Sequence, residues 1–173
     1  MFDDQFKGPL EALLFASGDP LPVARLAKIL GIDEQNVVNL ITELRSEMQS
    51  PQRGLTIVEV AGGYQLCTKA ELVGFVDKLG GTQDAKLTTA AMETLAIIAF
   101  RQPVTRQEIE QIRGVNVDKI VGQLVDRRLI TEMGRKDTVG RPILYGTTAE
   151  FLQSFGLKNL SDLPDISQFT TEN

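Results

Sequence analysis

Along the first half of the chain, apolar positions recur at helical spacing in three stretches and then switch to short alternating runs. Pro9 to Ala16 predicts a short apolar helix ended by Ser17-Gly18-Asp19-Pro20. In Pro22 to Leu30, Val23, Leu26, Ala27 and Leu30 share one helical face. Gly31 closes that helix, because glycine enters the left-handed conformation without a Cβ clash. Asp33 is placed to cap a longer helix whose Val37, Leu40, Ile41, Leu44 and Met48 line one face. Leu55 to Thr68 predicts two strands, marked by Ile57 and Glu59, with a tight turn at Gly62-Gly63. Ala70 to Leu79 predicts a closing helix.

The second half repeats the order. Leu87 to Gln102 predicts a helix capped by Thr88 or Thr89. In Pro103 to Gly114, Thr105 and Glu108 stand at capping-box spacing, where hydroxyl and carboxylate satisfy each other's orphan amides. Gly114 turns the chain and Asn116 is placed to cap Val117 to Arg128. A strand at Leu129 to Met133, a basic loop, a strand at Pro142 to Thr148 and a helix from Ala149 to Gly156 follow. Overlaying Gly31 on Gly114 sets Val37, Val38 and Ile41 over Ile120, Val121 and Leu124. Three helices followed by a two-stranded hairpin is the order of a winged helix-turn-helix. The predicted fold is therefore α+β, mainly helical, with two tandem winged helix-turn-helix domains at residues 1–80 and 86–158. Leu79 to Lys86 is the predicted linker, and the polar tail, residues 159–173, is expected to fray.

Two stretches carry more apolar residues than one inner face needs. Leu95 to Phe100 is apolar at six consecutive positions, so the helix is either buried all round or offers an outer stripe to a partner. Phe2, Phe6, Leu10, Leu13, Leu14 and Phe15 crowd the N-terminal helix, and dimerisation there is expected, with Phe2, Phe6, Leu10, Leu14 and Phe15 at the interface.

Composition narrows the chemistry. Of 173 residues none is histidine, which removes Ser-His and Cys-His pairs, histidine metal sites and a histidine general base. One cysteine, Cys67, cannot form an internal disulfide and fits a reducing cytoplasm. The acidic start and the lack of a long apolar run predict no signal peptide and no membrane partner. A net charge of -5 argues against a general polyanion binder. The third helix of the first domain sets Asp33, Glu34, Glu43 and Glu47 against Arg45, a face that phosphates would repel.

The second domain differs. Between residues 101 and 141 there are nine cationic side chains (Arg101, Arg106, Arg113, Lys119, Arg127, Arg128, Arg135, Lys136, Arg141) against six acidic ones. They fit a solvated face with pairs such as Arg106–Glu110, a patch for an acidic segment of another protein, or a nucleic-acid contact. Gly134 and Gly140 lie between strands and match no phosphate-cradling loop. No constellation predicts an enzyme or a cofactor.

Five blocks, "EALLFASGDPL", "GYQLCTK", "LAIIAFRQPVTRQEIEQIRGVN", "GRKDTVGRPILYGTT" and "FLQSFGLKNLSDLP", closely resemble the segregation and condensation protein B family from about Leu10 to Pro164. The resemblance implies a non-enzymatic, cytoplasmic, nucleoid-associated protein with two winged-helix domains that forms homodimers through the first. It also implies binding to the central region of the kleisin ScpA, and through the kleisin to an SMC ATPase, in chromosome condensation and segregation. Direct DNA binding is then expected to be weak or absent. The residues expected to meet the kleisin are Leu95, Ile98, Phe100, Arg106, Arg127, Arg128, Arg135 and Arg141. The alternative is a winged-helix transcriptional regulator, which would bind duplex DNA tightly and with strong salt dependence.

Overall fold

The structure, a computed structural model, describes residues 4–79 and 86–164. The chain divides into two compact units, residues 1–83 and 84–173, and each is a winged helix-turn-helix. Residues 80–85 of the predicted linker lie outside the described residues.

The first unit runs α1 (Asp4–Ser17), α2 (Val23–Leu30), α3 (Glu34–Glu47), β1 (Leu55–Val60) and β2 (Gly63–Thr68). Gly31 ends α2 at φ 70°, and its N–H donates to the carbonyl of Ala27. Asp33 caps α3 by accepting from the Asn36 N–H at 2.9 Å, a cap worth about 1 kcal/mol. Leu10 and Leu14 of α1 pack with Leu26, Val37, Leu40 and Ile57 in the core. Each such leucine contributes roughly 1.5–3 kcal/mol by leaving water. Leu10 and Leu14 are thus spent inside their own unit and present no surface to a second copy, which corrects the expected dimer interface. Helical geometry explains this: the two are four residues apart, on the stripe facing α2 and α3.

The hairpin turns through Ala61 and Gly62, both at positive φ, one residue before the expected Gly62-Gly63, because Gly63 already pairs with Val60 as the first residue of β2. Leu21, just before α2, exchanges two 2.9 Å backbone hydrogen bonds with Tyr64, which stitches the helices to the hairpin. Ala70 to Leu79 is not one helix. It forms a 3-10 turn (Ala70–Leu72), a single α turn α4 (Val73–Val76) and another 3-10 turn (Asp77–Leu79). None of these residues is buried, so no packing offsets the cost of nucleating a longer helix.

The second unit contains α5 (Thr89–Arg101), β3 (Val104–Thr105), α6 (Arg106–Arg113), α7 (Asp118–Asp126), β4 (Ile130–Arg135), β5 (Ile143–Thr147) and α8 (Ala149–Phe155). Its sheet has the order β3-β5-β4, all antiparallel. Strand β3 is too short to show alternation and was not predicted. Its pairing of Val104 with Tyr145 repeats the Leu21–Tyr64 bridge of the first unit. Thr88 is the residue that caps α5, and Thr105 and Glu108 form the predicted capping box.

Three local expectations change. Val117, not Asn116, occupies the N-cap of α7, although the Asn116 side chain still accepts from the Asp118 N–H at 3.2 Å. Arg106 pairs with Asp118 instead of Glu110. The Glu110 carboxylate is drawn across the turn to accept from Asn116 Nδ2 (2.9 Å) and from Val117 N–H (3.1 Å), a backbone donor with no partner inside α7. The helix overlay also shifts by one residue. Glu34 is the third residue after Gly31 and Asp118 the fourth after Gly114, so the buried Val37 and Leu40 correspond to the buried Val121 and Leu124.

The Leu95 to Phe100 run is mostly core. Leu95 is 1% exposed and Ile98 is fully buried, packed with Ile109, Val121, Leu124 and Ile130. Neither can touch a partner, and both leave the expected kleisin-contact set. The start of the polar tail is folded. Asn159 caps a 3-10 turn at Leu160–Asp162, Asp162 accepts from Lys158 N–H at 2.8 Å, and Leu163 packs on the unit's core. Residues 165–173 of the tail lie outside the described residues.

Candidate partner-binding surface

The wing of the second unit is the β4–β5 hairpin, and β4 beyond Ile130 is exposed along its length. A bulge at Met133, between the pairs Glu132–Tyr145 and Gly134–Leu144, brings Arg135 opposite Ile143. Arg135 is therefore the last residue of β4 rather than part of the loop. Its guanidinium donates to the carbonyl of Arg141 at 3.1 Å, which closes the tip.

Lys136 ties the wing back to the helices. Its Nζ lies 2.5 Å from Glu108 Oε1, while Glu108 Oε2 accepts from the N–H and the hydroxyl of Thr105, each at 2.8 Å. The Lys136 hydrogen bond, then those from Thr105, pull the Glu108 carboxyl from the ordinary 4.5 down to about 2. Lys136 is occupied in holding the wing.

Between α6 and the wing lies a groove of about 580 Å³ lined by Arg106, Glu110, Arg135, Gly140, Ile143 and Tyr145. The fold brings Arg106, the first residue of α6, to the same groove as Arg135, the last of β4. Arg127 lies elsewhere, beside Lys86, Thr88 and Gln123. Arg128, just after α7, and Arg141, just after Gly140, both take left-handed backbone conformations at φ 57° and 43°. Such positions cost a non-glycine residue roughly 1–2 kcal/mol. The expected arginine set is therefore dispersed over the unit, and only two of its members are shown to share a cavity. Asp118, Ile143 and Tyr145 were missed as candidates. The signal for Ile143 and Tyr145 was strand alternation, but the groove depends on a bulge that no pattern reveals.

On α5 the exposed side carries Met92, at 42% exposure, and Ala96, with Phe100 half-buried. These lie four residues apart, so they form one stripe. Phe100 is the member of the expected apolar trio that reaches this face. In the first unit Phe15 is 76% exposed, Phe6 is packed against the core, and Phe2 lies outside the described residues. Phe75, at 71% exposure, and its neighbours Val73 and Leu79 add an apolar surface that was not anticipated. Among the described residues no cluster of acidic, cysteine or histidine side chains could hold a metal ion. No described helix is long and apolar enough to cross a membrane.

The family profile described as "Segregation and condensation complex subunit ScpB" matches residues 8–166, through both winged-helix units. The chain belongs to the segregation and condensation protein B family. A relative of that name from Desulforamulus reducens is 48% identical over 172 residues, covering 99% of this chain and 95% of its own. One from Symbiobacterium thermophilum is 50% identical over 163 residues, covering 94% and 74% respectively. Among solved structures, ScpB from Mycobacterium tuberculosis is 35% identical, covers 90% of this chain and 97% of its own, and gives a TM-score of 0.44. A dimer of an ScpB N-terminal domain complexed with an ScpA peptide is 33% identical, covering 47% of this chain and 94% of its own, with a TM-score of 0.44.

Proposed function

We propose that the protein is a non-enzymatic subunit of an SMC–kleisin complex. It forms a homodimer through its N-terminal unit and binds the central region of the kleisin, segregation and condensation protein A, through its C-terminal unit. The observation that carries this reading is the family match from residue 8 to 166, to a family described as a subunit of the segregation and condensation complex. By clasping a kleisin linker the dimer biases the geometry and ATPase cycle of the SMC ring, to which it is joined only through the kleisin. It acts in the cytoplasm, at the nucleoid.

The surfaces supply what a linker that orders on binding needs, namely apolar anchors and charges that set its register. Met92, Ala96 and Phe100 offer the first, and Arg106 and Arg135 the second. Phe15 is the exposed member, among the described residues, of the set expected to meet a second copy. Size-exclusion chromatography with light scattering, run alone and with the kleisin of the same genome, tests the reading. The protein alone is expected at twice its monomer mass, Phe15→Glu at monomer mass, and the mixture as one larger species. A monomeric wild type that does not co-elute with kleisin would overturn it.

A further inference from the structure

We propose that the groove between α6 and the wing is a carboxylate-recognition site for an acidic side chain of the kleisin segment. Arg106 and Arg135 are its two cations, Ile143 and Tyr145 its apolar floor, and Asp118 holds Arg106 in the free protein. The proposal rests on the kleisin-binding reading and assigns it a place and a chemistry.

Strand register builds one wall. Arg135 pairs directly with Ile143, and Tyr145 stands two residues further along β5, so all three project from the same face of the hairpin. Helix α6 builds the other wall, with Arg106 in its first turn and Glu110 one turn later. Glu110 keeps its charge while its Oε1 accepts from Asn116 Nδ2 and Val117 N–H, so it limits the groove to a single acidic side chain beside the arginines. Arg135 is steadied by one hydrogen bond, to the Arg141 carbonyl, out of the five donors a guanidinium carries. Two guanidinium groups in one cavity can bind a carboxylate through paired N–H donors.

Asp118 occupies Arg106 in a pair whose side chains are both about half exposed. An exposed ion pair contributes only about 0–1 kcal/mol, so an incoming carboxylate can share or replace it at small cost. The same arrangement disfavours nucleic acid. A phosphate backbone is a continuous row of charge and would meet Glu110 and Asp118 repeatedly, whereas one acidic side chain needs only the two arginines that line the groove. An apolar floor of Ile143 and Tyr145 suits the neighbouring residue of a peptide.

Isothermal titration of the full chain with full-length kleisin decides the matter. Arg106→Glu and Arg135→Glu are each expected to weaken binding by about tenfold or more, and Asp118→Asn to tighten it by about threefold. Lys119→Glu, an equal charge change on α7 outside the groove lining, is expected to alter affinity by less than about twofold. Arg106→Gln and melting curves of every variant separate a lost contact from a lost fold. If the groove variants match Lys119→Glu while the wild type binds, the groove assignment is wrong and the kleisin reading stands. If the wild type does not bind kleisin, both fall. Displacement of kleisin by a short DNA duplex from the wild type, but not from Arg135→Glu, would make nucleic acid the occupant. Loss of self-association in Arg106→Glu without kleisin would make it a second copy. Either result overturns the proposal.

Discussion

Lys136 Nζ lies 2.5 Å from Glu108 Oε1, so one carboxylate both closes the capping box of α6 and anchors the wing 28 residues away. This contact adds to the β3–β5 pairing and the shared core that already join the helix-turn-helix to the wing. Any partner that binds between them meets two walls held at a set spacing.

That coupling is expected to show in acid. The Glu108 pKa is lowered by folding, so its stabilisation is fully present above the ordinary value of 4.5 and is lost as pH falls toward about 2. Glu108→Gln is expected to reduce unfolding free energy by about 1 kcal/mol near neutral pH, the scale of a lost cap. The gap between variant and wild type should close as pH falls through that window. Urea denaturation at several pH values measures it, and a gap independent of pH would contradict the role given to the carboxylate.

Gly63 is required by close approach. A Cβ there would stand 2.7 Å from the backbone carbonyl carbon of Leu21, at the bridge that joins hairpin to helices. Gly63→Ala is expected to destabilise by about 1–3 kcal/mol. Gly122→Ala, within α7 and with nothing within 4 Å, is expected to stabilise by roughly 0.5–1 kcal/mol. Opposite shifts in melting temperature for the same chemical change would confirm both.

Two neighbours on α5 separate core from surface. Leu95→Ala is expected to lower unfolding free energy by about 2–5 kcal/mol, while Met92→Ala changes it by less than about 1 kcal/mol. Chemical denaturation distinguishes them, and equal effects would mean that α5 is oriented differently.

Much of the fold was legible because it rests on local rules. Gly31 and Gly114 end their helices and Asp33 and Thr105 cap theirs, each through interactions within a few residues, whereas the hairpin turn falls one residue before the expected Gly62-Gly63. The candidate site was less legible. Leu95 and Ile98 were read as partner contacts because a run apolar on every face does not say which stripe turns inward. Glu110 was read as the partner of Arg106 because i, i+4 spacing permits it, yet the turn before α7 draws it away.

The sequence by itself determined the order of the main helices and wing hairpins, the two winged-helix repeats, the caps at Asp33 and Thr105 and the absence of histidine chemistry, since these depend on residue type and short spacing. Only the tertiary structure decided which face of α5 is core, that Lys136 serves the wing, and that Arg106 and Arg135 share a groove with Tyr145. Those outcomes depend on pairings across tens of residues. They are set by strand register, a bulge at Met133 and competition among donors, none of which leaves a periodic trace in the chain.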